Sequence, residues 1–195
     1  FIKHRKNTTH KTNLSETTES TNQQVLNEVA SNDNQTNTAE NTNVETPSSE
    51  TTAKSSTINM AFTGDIMCHN TIYNDALNKQ SNTYDFSYIF EDIKYNIQTA
   101  DIAVGNLETT FAGSDKGYSS YPAFNTPESL AYTLKKIGFD VLSTANNHCY
   151  DSGYAGIEST INYLDEADIS HTGTYKSEED QNKILIKNVK GINIA

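Results

Sequence analysis

Residues 143–153 read Ser143-Thr144-Ala145-Asn146-Asn147-His148-Cys149-Tyr150-Asp151-Ser152-Gly153. Two amides, an imidazole and a carboxylate fall within a few positions. Just before them, Phe139-Asp140-Val141-Leu142 has the apolar density of a short buried strand. Just after them, Ile157, Ile161 and Leu164 recur at helical spacing within residues 153–167. A polar cluster between the C-terminal end of a strand and the next helix is where open α/β sheets place their chemistry. Two more clusters hold the same position on their own strands. Gly64-Asp65-Ile66-Met67-Cys68-His69 follows an alternating stretch at 58–63, and Gly105-Asn106-Leu107-Glu108 follows Asp101-Ile102-Ala103-Val104. The pattern predicts three loops converging on one rim, where Asp, Glu, Asn and His side chains hold one or two divalent metals.

Working outward, residues 86–100 predict a helix, with Ile89, Phe90, Ile93 and Ile97 as its apolar stripe. Residues 109–125 form a long loop with Gly113, Gly117, Tyr118 and Pro122, of a length that marks a lid or a binding wall. A second helix is expected from Thr126 as N-cap, with Pro127 in the first position and Glu128 complementing the dipole. Leu130, Leu134 and Ile137 form its buried stripe, and Gly138 ends it. A fourth strand is expected at 168–173, and two more at 183–188 and 192–195 around a turn at Lys190-Gly191. This alternation of strands and helices predicts an α/β fold with a mostly parallel sheet.

Composition sets limits. The formal charge of −11 excludes a nucleic-acid binder, which needs a basic face. It leaves phosphate chemistry open, because metals supply local positive charge. Hydrophobic residues make up 34% of the chain, and the shortfall lies in residues 1–56. Between Lys6 and Ile58 the only sizeable apolar residues are Leu14, Val25, Leu26, Val29 and Val44. Such a segment cannot offset the entropy of ordering it, so 1–56 is expected to be a disordered Ser/Thr/Asn-rich linker and 57–195 the folded part. Phe1-Ile2 followed by Lys3-His4-Arg5-Lys6 reads either as the trailing edge of a removed anchor or as a plain basic end. Cys68 and Cys149 both lie in motif loops, and free thiols are expected over a disulfide or a zinc thiolate.

Each candidate residue has a structural alternative. Asp65 and Glu108 are paired carboxylates suited to hard cations, or else a turn cap and a solvated acid. Asn147 is a metal-ligand candidate and His148 a general-acid candidate; otherwise they are a turn residue and a backbone-satisfied imidazole. Asp151 either orients His148 or caps the helix that follows. His69 either completes a metal sphere with Asp65 or stacks in the cleft. Asn146 is expected to hydrogen-bond across the loop, and His171 to be a surface residue.

Gly64-Asp65-Ile66-Met67, Asn106-Leu107-Glu108, Phe124-Asn125-Thr126-Pro127 and Ala145-Asn146-Asn147-His148 with Asp151 and Gly153 resemble the CapA family of bacterial poly-gamma-glutamate capsule biosynthesis proteins. That family is similar to the calcineurin-like metallophosphoesterases. The resemblance runs from about residue 58 onward and implies a helix/sheet/sheet/helix sandwich, of which this chain carries the N-terminal part. It also implies two divalent metal ions (Mn, Zn or Fe) and a membrane-anchored or secreted extracytoplasmic protein. On it, Asp65 matches the first metal-binding Asp, Glu108 takes the place of a bridging Asp, Asn147 matches the ligand Asn, and His148 the general acid. Two departures stand out: Met67 lies where the metallophosphoesterase pattern has a His, and Glu108 replaces Asp. The later His ligands are expected beyond Ala195. Two functions follow as expectations: a metal-dependent phosphoesterase-like hydrolase, or a non-catalytic assembly or export factor. The second would work beside a membrane polyglutamate synthetase and its anionic polymer.

Overall fold

The computed structural model describes residues 55–195. The linker expected at 1–56, with the basic stretch at its start, lies almost wholly outside the described residues. Four parallel strands form the central sheet in the order β1-β4-β5-β6: β1 (Met60–Ile66), β4 (Ile102–Leu107), β5 (Val141–Ser143) and β6 (Ser170–Thr172). Between β1 and β4 come α1 (Asn70–Ala76), a small antiparallel pair β2 (Leu77–Asn78) and β3 (Thr83–Tyr84), and α2 (Glu91–Thr99). Helix α3 (Ser129–Ile137) joins β4 to β5, and α4 (Gly153–Glu166) joins β5 to β6. The short helix α5 (Glu178–Gln181) then precedes an antiparallel hairpin of β7 (Lys187–Val189) and β8 (Ile192–Ile194). No helix among the described residues is long and apolar enough to cross a membrane.

All three parallel crossovers step the same way along the sheet. Right-handed connections therefore stack α2, α3 and α4 on one face. The core agrees: Ala103, Leu107 and Leu142 pack in one cluster with Ile97, Leu130, Ala131, Leu134, Ile137 and Leu164 from those helices. Phe86, Phe111 and Phe139 are fully buried with them, each worth about 1.5–3 kcal/mol of transfer free energy. The opposite face is less covered at its β1 edge. Phe62, paired in register with Val104, is 69% exposed. Phe62→Ser is therefore expected to change stability by no more than about 0.5 kcal/mol, whereas Phe139→Ala costs about 3–5 kcal/mol. Urea unfolding of the two variants checks this.

Two expectations are corrected. Helix α3 starts at Ser129, not at Thr126. Thr126 is fully buried, and its hydroxyl pairs with that of Thr109 at 2.7 Å instead of capping. The 86–100 stripe also divides. Its first turn, Ser87–Phe90, is a 3-10 helix, whose tighter winding changes which side chains share a face. Phe90 and Ile97 are buried, but Ile89 and Ile93 are 40% and 41% exposed. Together with Ile66, Met67 and Ile72 they line an open apolar recess of about 240 Å³.

The two rims of the sheet use their acids differently. At the N-terminal rim, Asp140 Oδ2 accepts the Ala103 N–H at 2.8 Å, and Asp101 Oδ2 accepts the Asn59 N–H at 2.9 Å. Lys190 of the β7–β8 turn also reaches Asp101, at 2.7 Å. Those carboxylates hold strand ends and hairpin together. The acids at the C-terminal rim are placed otherwise.

Candidate functional site

A β-bulge decides where Asp65 sits. Phe62 pairs with Val104, so a regular register would set Asp65 opposite Leu107, whose side chain enters the core. One extra residue in β1 shifts the pairing, and Asp65 lies opposite Asn106 instead. A one-residue slip moves a side chain to the other face of a strand. Asp65 thereby joins Asn106, whose Nδ2 donates to Asp65 Oδ1 at 2.8 Å. Strand alternation puts Glu108 on that side too, and the same amide reaches Glu108 Oε2 at 3.3 Å. One carboxamide thus spans two carboxylates.

Burial and the neighbouring Asp65 carboxylate together push the Glu108 carboxyl above its ordinary range, and the imidazole of His148 partly offsets them. A raised acid favours its protonated form. Its stabilising contribution is full below the unfolded carboxyl range and is lost as pH rises through the folded value. Glu108→Gln cannot ionise, so without divalent cations it is expected to melt above the parent at neutral pH. The gap should close near about pH 4, where the parent is protonated too. Melting curves across that range in chelator test this.

The loop after β5 is tied to the same place. Asn146 Nδ2 donates to Leu107 O at 2.8 Å and to Asn106 Oδ1 at 3.2 Å. Its Oδ1 accepts the His148 N–H at 3.0 Å. Asn146 therefore bonds across the loop and fixes the backbone that carries His148. The imidazole Nδ1 pairs with Asp151 Oδ2 at 2.7 Å, both side chains being 12% exposed. Asp151 does not cap α4: Ser152 occupies that position, and Asp151 Oδ2 instead also accepts the Phe124 N–H at 2.6 Å. With Nδ1 engaged, Nε2 of His148 is the nitrogen left to meet a substrate.

The remaining candidates are placed as follows. His69 precedes α1, and its Nδ1 meets Ser120 Oγ at 3.0 Å. Its ring lies edge-on to Phe124 with centroids 5.1 Å apart, and His148 meets the same phenyl at 4.7 Å. Asn147 is exposed, between Asn146 and His148. Both cysteines are free thiols. Cys68 is buried, and burial pushes its thiol up to about 11, which keeps it protonated and inert. His171 Nε2 pairs with Asp165 at 3.1 Å, away from this network.

Asp65 and Glu108 offer two oxygen ligands suited to a hard divalent cation, and their mutual repulsion is what a cation would relieve. Among the described residues, no group of three or more His, Cys, Asp or Glu side chains is gathered closely enough to hold a metal ion. The donor set therefore fits part of a metal shell.

Asn106, Phe124 and Asn125 stand in the quoted motifs, but sequence reasoning assigned none of them an individual role at the site. Asn106 had a usable signal, since residues i and i+2 of a strand share a face and Glu108 was already a candidate. Asn125 is fully buried at the hub of the 109–125 loop. Its Nδ2 donates to Gly113 O and Gly117 O, and its Oδ1 accepts the Ala112 N–H.

The arrangement is that of an α/β protein with a polar site at the C-terminal rim of a parallel sheet, built from a carboxylate pair and a His–Asp pair. Residues 59–195 match the family described as bacterial capsule synthesis protein PGA_cap, and the chain belongs to that family. It is 28% identical over 146 residues to the capsule biosynthesis protein CapA of Bacillus anthracis, covering 73% of this chain and 34% of that one. It is 26% identical over 147 residues to the PGA biosynthesis protein CapA of Bacillus subtilis, covering 74% and 37%. The match thus spans about a third of the length of these relatives.

Proposed function

We propose that this chain carries the carboxylate and acid–base part of a metal-dependent phosphoesterase-type site that serves synthesis of the capsule polymer poly-gamma-glutamate. The His148–Asp151 pair at 2.7 Å, hydrogen-bonded through Asn146 and Asn106 to Asp65 and Glu108, carries this reading. Asp65 and Glu108 would hold a divalent cation, with Asn147 as a further oxygen donor. When bound, such a cation supplies positive charge toward a phosphoryl oxygen. His148 passes a proton from Nε2 to the leaving alkoxide. Asp151 holds the proton on Nδ1 and fixes the plane of the ring. Asn146 sets the height of the loop that carries both. Kinship with the two CapA proteins supports the capsule role.

The test is hydrolysis of a generic phosphodiester by the full-length protein with Mn²⁺. His148→Ala is expected to abolish turnover, and equal activity in that variant would overturn the reading.

The incomplete metal shell among the described residues favours a second reading: a non-catalytic assembly factor at an extracytoplasmic membrane site. The polymer is polyanionic and the chain has a charge of −11, so contact would run through bridging cations. That reading expects polymer or synthetase binding that survives His148→Ala and is lost on chelation.

A further inference from the structure

The loop between β4 and α3 could move as a lid or stand as a fixed wall, and its hydrogen bonds decide between these. Asn125 fills the middle of the loop with its side chain fully buried. It satisfies three backbone groups, the Gly113 and Gly117 carbonyls and the Ala112 N–H. Its own backbone exchanges two bonds with Ser119, at 2.9 and 3.1 Å. On one flank, Thr126 N–H donates to Thr110 O at 2.9 Å. Thr110 Oγ1 meets both Phe124 O and Ser152 Oγ at 2.7 Å, and Phe111 N–H donates to Thr160 of α4 at 2.9 Å. Lys116 Nζ reaches Ser152 O at 2.7 Å. A segment anchored at so many buried points does not open without breaking several of them together.

Phe124 stands at the inner end of this wall and touches the His148–Asp151 pair twice. Its backbone N–H binds the same Oδ2 of Asp151 that holds His148 Nδ1. Its ring, 1% exposed, meets the imidazole edge-to-face at 89°. The first contact fixes the carboxylate, and the second fixes the tilt of the ring whose Nδ1 that carboxylate holds. We propose that Phe124 is the positioning residue of the His148–Asp151 pair, and that Asn125 holds it there by turning the 109–125 loop into a rigid wall. This rests on the hydrolase reading for its effect on rate, and on geometry alone for its effect on the imidazole.

The experiment uses the full chain and two variants. Phe124→Leu keeps a buried apolar side chain and the backbone N–H but removes the aromatic edge. Asn125→Asp removes the two donors to Gly113 and Gly117 without touching His148. The low-field proton resonance of His148 Nδ1–H reports the pair without substrate, and His148→Ala assigns it by abolishing it. Both variants are expected to shift or broaden that resonance. Both should lower kcat roughly 10-fold or more with KM within about twofold, as misplaced catalytic groups do. An unchanged resonance and unchanged kcat in both folded variants would overturn the proposal. Should Phe124→Leu fail to fold, Asn125→Asp alone decides. If His148→Ala leaves turnover intact, the hydrolase reading fails, while the resonance still decides whether Phe124 positions the ring.

Discussion

On the hydrolase reading, Asp151→Asn is expected to lower metal-dependent turnover by ~10²–10⁴-fold while the protein stays folded. The reason lies in what Asp151 Oδ2 does. It accepts two N–H groups at once, from His148 Nδ1 at 2.7 Å and from Phe124 at 2.6 Å. An asparagine carbonyl can accept both, so neither of these donors is orphaned and the loop keeps its course. The negative charge is lost. Charge-assisted bonds are roughly twice as strong as neutral ones, so the amide holds the proton on Nδ1 less firmly and steadies a protonated ring less. Asp151→Ala differs in kind, because it also strands the Phe124 N–H, at a further cost of about 1–3 kcal/mol. Rates and melting temperatures of the Asp, Asn and Ala forms separate the two effects. Full activity in the Asn form would show that the charge of Asp151 plays no part in the chemistry.

Several features of this site were open to a reader of the sequence, and their limits have physical causes. Helical and strand periodicity located β1, β4, β5 and β6 and the stripe of α3, because burial on one face imposes those periods directly. The gathering of Asp65, Glu108 and His148 at one rim followed from each motif lying at the C-terminal end of its own strand. The bulge in β1 was not legible. Gly64 suits a bulge and the turn that ends a strand equally well, and the bulge alone decides whether Asp65 meets Asn106 or faces the core. Asp151 was ambiguous because a carboxylate just before a helix suits either a cap or an imidazole partner. The fold settles it: Oδ2 meets His148 Nδ1, and the 109–125 loop brings the Phe124 N–H to the same oxygen. Thr126-Pro127 had the form of a helix start, yet burial beside Thr109 claimed the hydroxyl. Local propensity is outweighed when a tertiary partner offers the same hydrogen bond in a drier place.

Gly173→Ala is expected to destabilise the protein by about 2–5 kcal/mol and to impair the site with it. Gly173 has φ of +117°, where a side chain is strained whatever the space around it. The space is lacking as well. An added Cβ would lie 2.6 Å from the backbone nitrogen of Ala145 and 2.7 Å from its Cβ. Backbone cannot give way there cheaply, because the two loops are clasped on either side of the contact. Thr144 N–H donates to Thr172 O at 2.8 Å, Thr174 N–H donates to Thr144 Oγ1 at 2.9 Å, and the two threonine hydroxyls meet at 2.8 Å. Relief requires either opening that clasp or pushing Ala145 away, and Ala145 is joined directly to Asn146, which sets the position of His148. The melting temperature should fall by roughly 5–15 °C, at about 2–4 °C per kcal/mol for a folded part of this size. Gly191→Ala is the matched control. Its φ is also positive, at +84°, but an added Cβ would meet open space. It should cost only the conformational part, about 1–2 kcal/mol. Equal melting temperatures for the two variants would mean that the loops after β5 and β6 yield freely, and that the position of His148 does not depend on their close approach.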